Sequence, residues 1–271
     1  MKKFLSVLMA AAMLLSVCAL TACGGNEEPA PETEGTEVTE PAEEGTLTTV
    51  TEGVLTMSTN AAFPPYEMTN DAGEYEGIDV EIAQAIADKL GLELQIDDMD
   101  FDAALMAAQN GKSDMVMAGV TVNDERLAVM DFSESYATGV QVIIVKEGSD
   151  VTLDNLGEQM IGTQRGTTGN IYCTDDYGEE HVTAYDSGIT AVQALMNGQV
   201  DCVVIDKAPA QAFVAANAGL TILDTEYVTE NYAIGFAKGN TALVEAVNAA
   251  LAELTEDGTI QAILDKYIAA E

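Results

Sequence analysis

The sequence predicts an α/β fold built as two similar lobes around a shared cleft, and three observations carry that prediction. Short β-rich runs alternate with helix-period stretches from Leu47 onward, the pattern of a parallel-rich sheet covered by helices. The segment AAQNGKSDMVMAG at 107–119 is echoed by ALMNGQVDCVVID at 194–206 as helix, Asn-Gly turn, two residues, Asp and strand. The two copies end on Gly119 and Asp206, at the carboxyl ends of their strands, where ligands sit in open α/β sheets. Either the echo is architectural and sets these two positions on opposite walls of one cleft, or it reflects only how alike α/β units are.

Taken in order, the chain opens with MKKFLSVLMAAAMLLSVCALTAC: Lys2 and Lys3, an apolar run from Phe4 to Leu20, then small residues. This is the build of an export signal over 1–22. A membrane-spanning anchor is the other reading, but the run holds only about 17 residues and ends without a basic stop. LTAC resembles the lipobox of bacterial lipoproteins, which implies cleavage before Cys23, lipidation of its thiol and anchoring at the outer face of the cell membrane. The stretch 23–46, rich in Glu, Pro, Thr and Gly, lacks apolar periodicity and reads as an acidic, disordered tether.

Beyond the tether, GVLTMST reads as a strand and GIDVEIAQAIADKLG as a helix, with Ile78, Ile82, Ile86 and Leu90 at steps of four and Gly91 as its stop. LELQID is the next strand, FDAALMAAQNG a helix, and DMVMAGV a strand. At the far end, Leu243, Val247, Leu251 and Leu254, then Ile260, Ile263, Leu264 and Tyr267, predict two helices that return to the first lobe.

The formal charge of -36, from 46 acidic and 10 basic residues, excludes nucleic acid and anionic surfaces as partners, since these require clustered Lys and Arg. With Cys18 in the signal and Cys23 at the lipobox, Cys173 and Cys202 remain. They form a disulfide, which an exported compartment permits, or they are small buried apolar residues. His181 is the only histidine, so no metal site and no cofactor are expected.

Four segments can carry chemistry. GVTVNDER follows an apolar strand and offers amides near Gly119 and Thr121 with the guanidinium of Arg126, a set that suits a carboxylate; alternatively Arg126 pairs with a surface acid. GTQRGTTGN places Gly166, Thr167, Thr168 and Gly169 before a helical stretch, as an anion-favouring helix start or as plain N-capping by Thr168. Asp206 ends VDCVVID, where it meets an ammonium group or caps the helix in KAPAQAFVAAN. STNAAFPPYEM holds Phe63 and Tyr66 around Pro64 and Pro65, a stiff extended loop whose aromatics cover a ligand or pack on their own core.

In this order and spacing, AAFPPYE, GIDVEIAQAIADKLG, MDFDAALMAAQNGKSD, AGVTVNDER, MDFSESY, GTTG, VVID and YAIGFAKGN resemble the amino-acid-binding proteins of ABC importers. The resemblance spans Leu47 to Tyr267. It implies a two-lobed periplasmic-binding-protein-like (type II) fold with two crossing hinge strands: lobe 1 over 47–138, lobe 2 over 139–232 and a return to lobe 1 over 233–271. The hinges would fall near Tyr136 to Val140 and Glu230 to Ile234. By the same resemblance, Arg126 grips an α-carboxylate with help from Gly119, Thr121 and Thr168, Asp206 holds the α-ammonium, and Phe63 and Phe101 sandwich the side chain. The implied ligand-binding set is Asn60, Phe63, Phe101, Ala118, Gly119, Thr121, Arg126, Gln164, Thr167, Thr168 and Asp206.

Positions that often carry charge in the family are Asn60, Gln164 and Ile205 here, so a neutral amino acid is expected, unless Arg165 reaches the pocket mouth and favours an acidic one. The implied protein is a monomer without enzymatic activity that hands its ligand to a permease. A sensor or a secreted dehydratase-like enzyme are the alternatives on the same fold.

Overall fold

The structure is a computed structural model and describes residues 47–268. The signal peptide, Cys23 and the tether all lie outside the described residues. Among those described, no helix is long and apolar enough to cross a membrane.

Five strands form a first sheet in the order Glu93–Asp98, Val54–Thr59, Met115–Val116, Gly235–Ala237, Met130–Phe132. The first three are parallel, while Gly235–Ala237 runs antiparallel to both of its neighbours. Val54–Thr59 is buried almost throughout, as a strand covered on both faces must be, which is why it shows no polar alternation. One covering helix is Ile78–Leu90, whose inward face carries Ile78, Ile82, Ala83, Ile86 and Ala87. It stops at Gly91 in the left-handed region, a conformation glycine adopts without a Cβ clash.

The terminal helices Thr241–Glu256 and Thr259–Tyr267 bury Leu243, Val247, Leu251, Leu254, Ile260 and Ile263. They pack on Ile78–Leu90, with Lys89 reaching Glu253 at 3.0 Å and Lys266 meeting Glu81 across the contact. The end of the chain thus belongs to the first sheet, as its apolar spacing predicts.

A second sheet takes the order Val182–Tyr185, Ile161–Gln164, Cys202–Asp206, Ala137–Lys146, Leu220–Ile222, with Val228–Tyr232 also paired to Ala137–Lys146. The echoed segments have the same structure. Helix Phe101–Gln109 leads through Asn110 and Gly111 to Met115–Val116, and helix Gly188–Met196 leads through Asn197 and Gly198 to Cys202–Asp206. Even the shared aspartate has one job: Asp114 accepts from the amides of Val50 and Thr56 at 2.7 Å each, and Asp201 from the amide of Met160 at 2.8 Å.

Two strands cross between the sheets. Ala137–Lys146 begins beside the first sheet and continues into the second, and Val228–Tyr232 returns antiparallel to it with Tyr232 opposite Ala137. Three residues later the chain enters Gly235–Ala237.

One expectation changes and one open alternative is decided. The Pro64-Pro65 segment is a turn rather than an extended loop, joining strands Ala62–Phe63 and Glu67–Thr69 of a small sheet that Tyr75–Glu76 completes. Proline has no N–H to donate, and at the turn this costs no ladder hydrogen bond because the paired positions are Ala62 with Met68 and Phe63 with Glu67. Cys173 and Cys202 are free thiols in one apolar cluster, and burial pushes each up to about 12.

Candidate functional site: a closed pocket between two sheets

The strand ends of the two sheets converge on a narrow pocket lined by Asn60, Phe63, Glu67, Phe101, Ala118, Gly119, Thr121, Arg126, Gln164, Thr167, Thr168 and Asp206. All eleven residues singled out from the sequence are there, and Glu67 is an addition.

Arg126 is placed by local structure. Asn123 caps helix Asp124–Val129 by accepting from the amide of Arg126 at 2.9 Å. The side chain then turns back, donating to the carbonyls of Thr121 at 2.8 Å and Gly166 at 3.1 Å. It lies over the Phe101 ring, 5.4 Å from its centroid, and only 8% of it is exposed. Among the described residues both of its hydrogen-bond partners are carbonyls and it forms no salt bridge, so the surface pairing that the sequence left open does not occur. Burial lowers its proton affinity, while Glu230, Tyr172 and Asp206 act in the opposite direction. A buried guanidinium held by neutral carbonyls retains an unmet demand for an anion.

Asp206 faces this group from the second sheet. Its position is the N-cap of helix Lys207–Ala216, yet its side chain makes no capping bond. One carboxylate oxygen accepts from the Tyr232 hydroxyl and the other from the Gln141 amide at 2.8 Å. Burial pushes its pKa up to about 7, Glu230 adding to the rise and the bonds from Tyr232 and Gln141 opposing it. An ammonium arriving here would restore the charged form.

Three points that the sequence left open are decided around the wall. The cap of helix Thr168–Tyr177 is Thr167, whose side chain accepts from Asn170, so Thr168 is the first helical residue rather than the cap. The amide of Gly119 donates to Asp79 at 2.9 Å and is not free for a ligand; Gly119 lines the pocket with its backbone at φ 54, and a Cβ there would stand 2.9 Å from the Phe63 ring. Arg165 does not reach the pocket, since it lies on the surface within 3.4 Å of Asp186.

The amides of Asn60 and Gln164 meet across the pocket at 2.9 Å, Gln164 donating. Among the described residues no cluster of His, Cys, Asp or Glu is arranged to hold a metal ion.

Sequence reasoning missed a layer behind the wall. Gln141, 1% exposed, donates to both Asp206 and Glu230 at 2.8 Å, and Tyr232 is fully buried against Asp206. Both belong to the crossing strands. The single signal was a polar Gln inside the apolar run VQVIIV, which alternation alone reads as a solvent-facing position.

A two-lobed α/β body with crossing strands and an enclosed polar pocket is the architecture of a solute-binding protein. The chain belongs to the bacterial extracellular solute-binding proteins, family 3, whose profile matches residues 55–270; these are binding proteins rather than enzymes. It is 32% identical over 235 residues to the L-cystine-binding protein TcyJ of Escherichia coli K12, covering 85% of this chain and 88% of the relative. It is 31% identical to a probable histidine-binding protein of Neisseria gonorrhoeae, covering 100% and 97%. Among solved structures, an ancestral arginine-binding protein bound to glutamine superposes with a TM-score of 0.77 at 37% identity, covering 81% of this chain and 100% of that one. The arginine-, lysine-, histidine-binding protein ArtJ of Geobacillus stearothermophilus gives 0.76 at 30%, covering 80% and 96%. The fold is therefore that of the type II periplasmic amino-acid-binding proteins.

Proposed function

We propose that this protein is the exported, lipid-anchored binding subunit of an amino-acid ABC importer, capturing one free L-amino acid and delivering it to a permease. The observation that carries the reading is the opposition of Arg126, which forms no salt bridge among the described residues, to Asp206 across one closed pocket. The α-carboxylate pairs with Arg126 and the α-ammonium with Asp206. Phe63 and Phe101 flank the side chain, and Asn60 and Gln164 lie within reach of its polar end.

The lobes run over 47–138, 139–232 and 233–271, and they close by bending of the crossing strands at 136–140 and 230–234. The lipobox at Cys23 and the tether at 23–46 would hold a monomeric body near the permease. A neutral side chain fits best, because Arg126 and Asp206 match the zwitterion and Glu67 faces another carboxyl, Asp79, instead of a cation.

A thermal-shift screen against the twenty amino acids and L-cystine tests this, since a ligand that binds only the native state raises its apparent stability. The expected result is a shift with a neutral polar amino acid such as L-glutamine. A larger shift with L-arginine or L-histidine would overturn the neutral assignment, and no shift with any of them would overturn the amino-acid reading.

A further inference from the structure

Asp79 and Glu67 form a buried acid pair behind the pocket that capture of a zwitterion does not by itself require. Asp79 is the second residue of helix Ile78–Leu90 and is fully buried. One of its oxygens accepts from the Gly119 amide at 2.9 Å and the other from the Tyr136 hydroxyl at 2.8 Å. These donors belong to different parts of the machine. Gly119 lines the pocket and leads into Thr121 and Arg126. Tyr136 stands at the start of the first crossing strand, where its amide donates to the Tyr232 carbonyl at 3.0 Å.

Glu67 is also fully buried and lines the same pocket. Neither of its oxygens receives an N–H or hydroxyl donor among the described residues. The start of helix Ile78–Leu90 is docked on the segment that carries Glu67, the amides of Ile78 and Asp79 donating to the carbonyls of Pro65 and Tyr66 at 3.0 and 2.8 Å, and the Asp79 carboxyl is the charged group that acts most strongly on Glu67. Two neighbouring carboxyls out of water do not both ionise, so they share a proton. Asp79 has two donors and a helix N-terminus to support its charge, and Glu67 has none of these, so the proton resides on Glu67. The titratable groups facing the pair from neighbouring elements are Tyr66, Asp98, Tyr136 and Asp206, none of them cationic. In keeping with this, burial followed by Asp79 raises Glu67 well above the usual range, and Asp79 rises only to about 6 because its hydrogen bonds oppose burial.

We propose, resting on the amino-acid reading of the pocket, that Glu67 keeps its proton and donates it to Asp79, making Asp79 a positioning residue that ties the pocket wall at Gly119 to the crossing strand at Tyr136. The wall that presents Arg126 and the strand that bends would then share one anchor, stable only while one proton stays between the two acids.

Carbon-13 spectra of the full-length chain with labelled Asp and Glu carboxyls test the proton directly, because the signal lost in Glu67→Gln is that of Glu67. The proposal expects it at the protonated position at about pH 7.5, where an ordinary Glu is ionised; an ionised position there overturns it. Calorimetry with L-glutamine tests the coupling. Glu67→Met, which has no donor, should weaken binding by about tenfold, Glu67→Gln, whose amide donates to Asp79, should restore most of it, and Tyr136→Phe should fall between.

Equal affinities for Glu67→Met and Glu67→Gln would overturn the tie. Should Glu67→Met fail to fold, hydrogen exchange of the Gly119 amide in Tyr136→Phe decides instead: faster exchange than in the unsubstituted chain supports the tie and unchanged exchange overturns it. If the unsubstituted chain does not take up L-glutamine, the neutral-ligand reading falls, while the carboxyl signal and the Gly119 exchange still decide the proposal.

Discussion

The two echoed units, 107–119 at the first sheet and 194–206 at the second, share a helix, an Asn-Gly turn and an aspartate that accepts from backbone amides, yet they end in opposite chemistry. Met115–Val116 is a short strand that leads to Gly119, whose amide is consumed by Asp79, and the anion-seeking group arrives seven residues later on a separate short helix as Arg126. Cys202–Asp206 is buried along its length and delivers a carboxylate at its last residue. One scaffold used twice thus carries a guanidinium to one wall of the pocket and a carboxylate to the other, as the proposed capture of a zwitterion requires. The difference lies at and beyond the carboxyl end of each strand, while the aspartates at 114 and 201 serve the scaffold itself.

The comparison breaks most visibly at the first wall. Truncating one partner of a buried charged pair costs roughly 2 to 5 kcal/mol, so Arg126→Ala should weaken amino-acid binding by more than about 30-fold in a calorimetric titration. Near-unchanged affinity would remove Arg126 from the site. At the second wall, Asp206→Asn should weaken binding by about tenfold or more and also change the response to pH.

The folded Asp206 titrates near 7, against an ordinary value of 3.8. A raised carboxyl contributes stability below its unfolded value and loses it as pH rises through the folded one. The ligand-free melting temperature should therefore fall between about pH 4 and pH 7 and fall less in Asp206→Asn. Parallel curves for the two proteins would show that Asp206 is not the titrating group.

Smaller effects sharpen the scaffold half of the comparison. Asp114, 3% exposed and bonded to two amides, should cost about 1 to 3 kcal/mol on change to Asn, read by denaturant unfolding. Asp201 is exposed and bonded to one amide, and its change to Asn should cost about 1 kcal/mol or less. Neither should alter amino-acid affinity. If Asp201→Asn weakened binding as Asp206→Asn does, the separation of scaffold from wall would fail.

Much of this was legible in the sequence because helix period, Asn-Gly turns and strand ends are local signals. The helix at Ile78–Leu90, the paired terminal helices and the echo all arise from spacing within about a dozen residues. Arg126 and Asp206 stood out because each comes at or soon after the end of an apolar strand, but that position alone left a surface ion pair or a helix cap open, and the resemblance to amino-acid-binding proteins supplied their roles. Glu67, Asp79 and Gln141 were not, since each is a polar residue in an otherwise ordinary element, and its burial depends on distant segments packed against it. The cap of helix Thr168–Tyr177 was misplaced by one residue, because Thr167 and Thr168 are chemically equal and only backbone geometry separates them.

If Arg126 and Asp206 act as proposed, both charges of an amino acid are held, one at each wall of the pocket. Titrating the protein calorimetrically with L-glutamine, its des-amino analogue and its α-carboxamide tests it most directly, because each analogue removes one charge and leaves the side chain unchanged. L-glutamine should bind, and each analogue should be weaker by about 30-fold or more. Comparable binding of either analogue would contradict it, and would point to whichever of Arg126 or Asp206 had been given the wrong role.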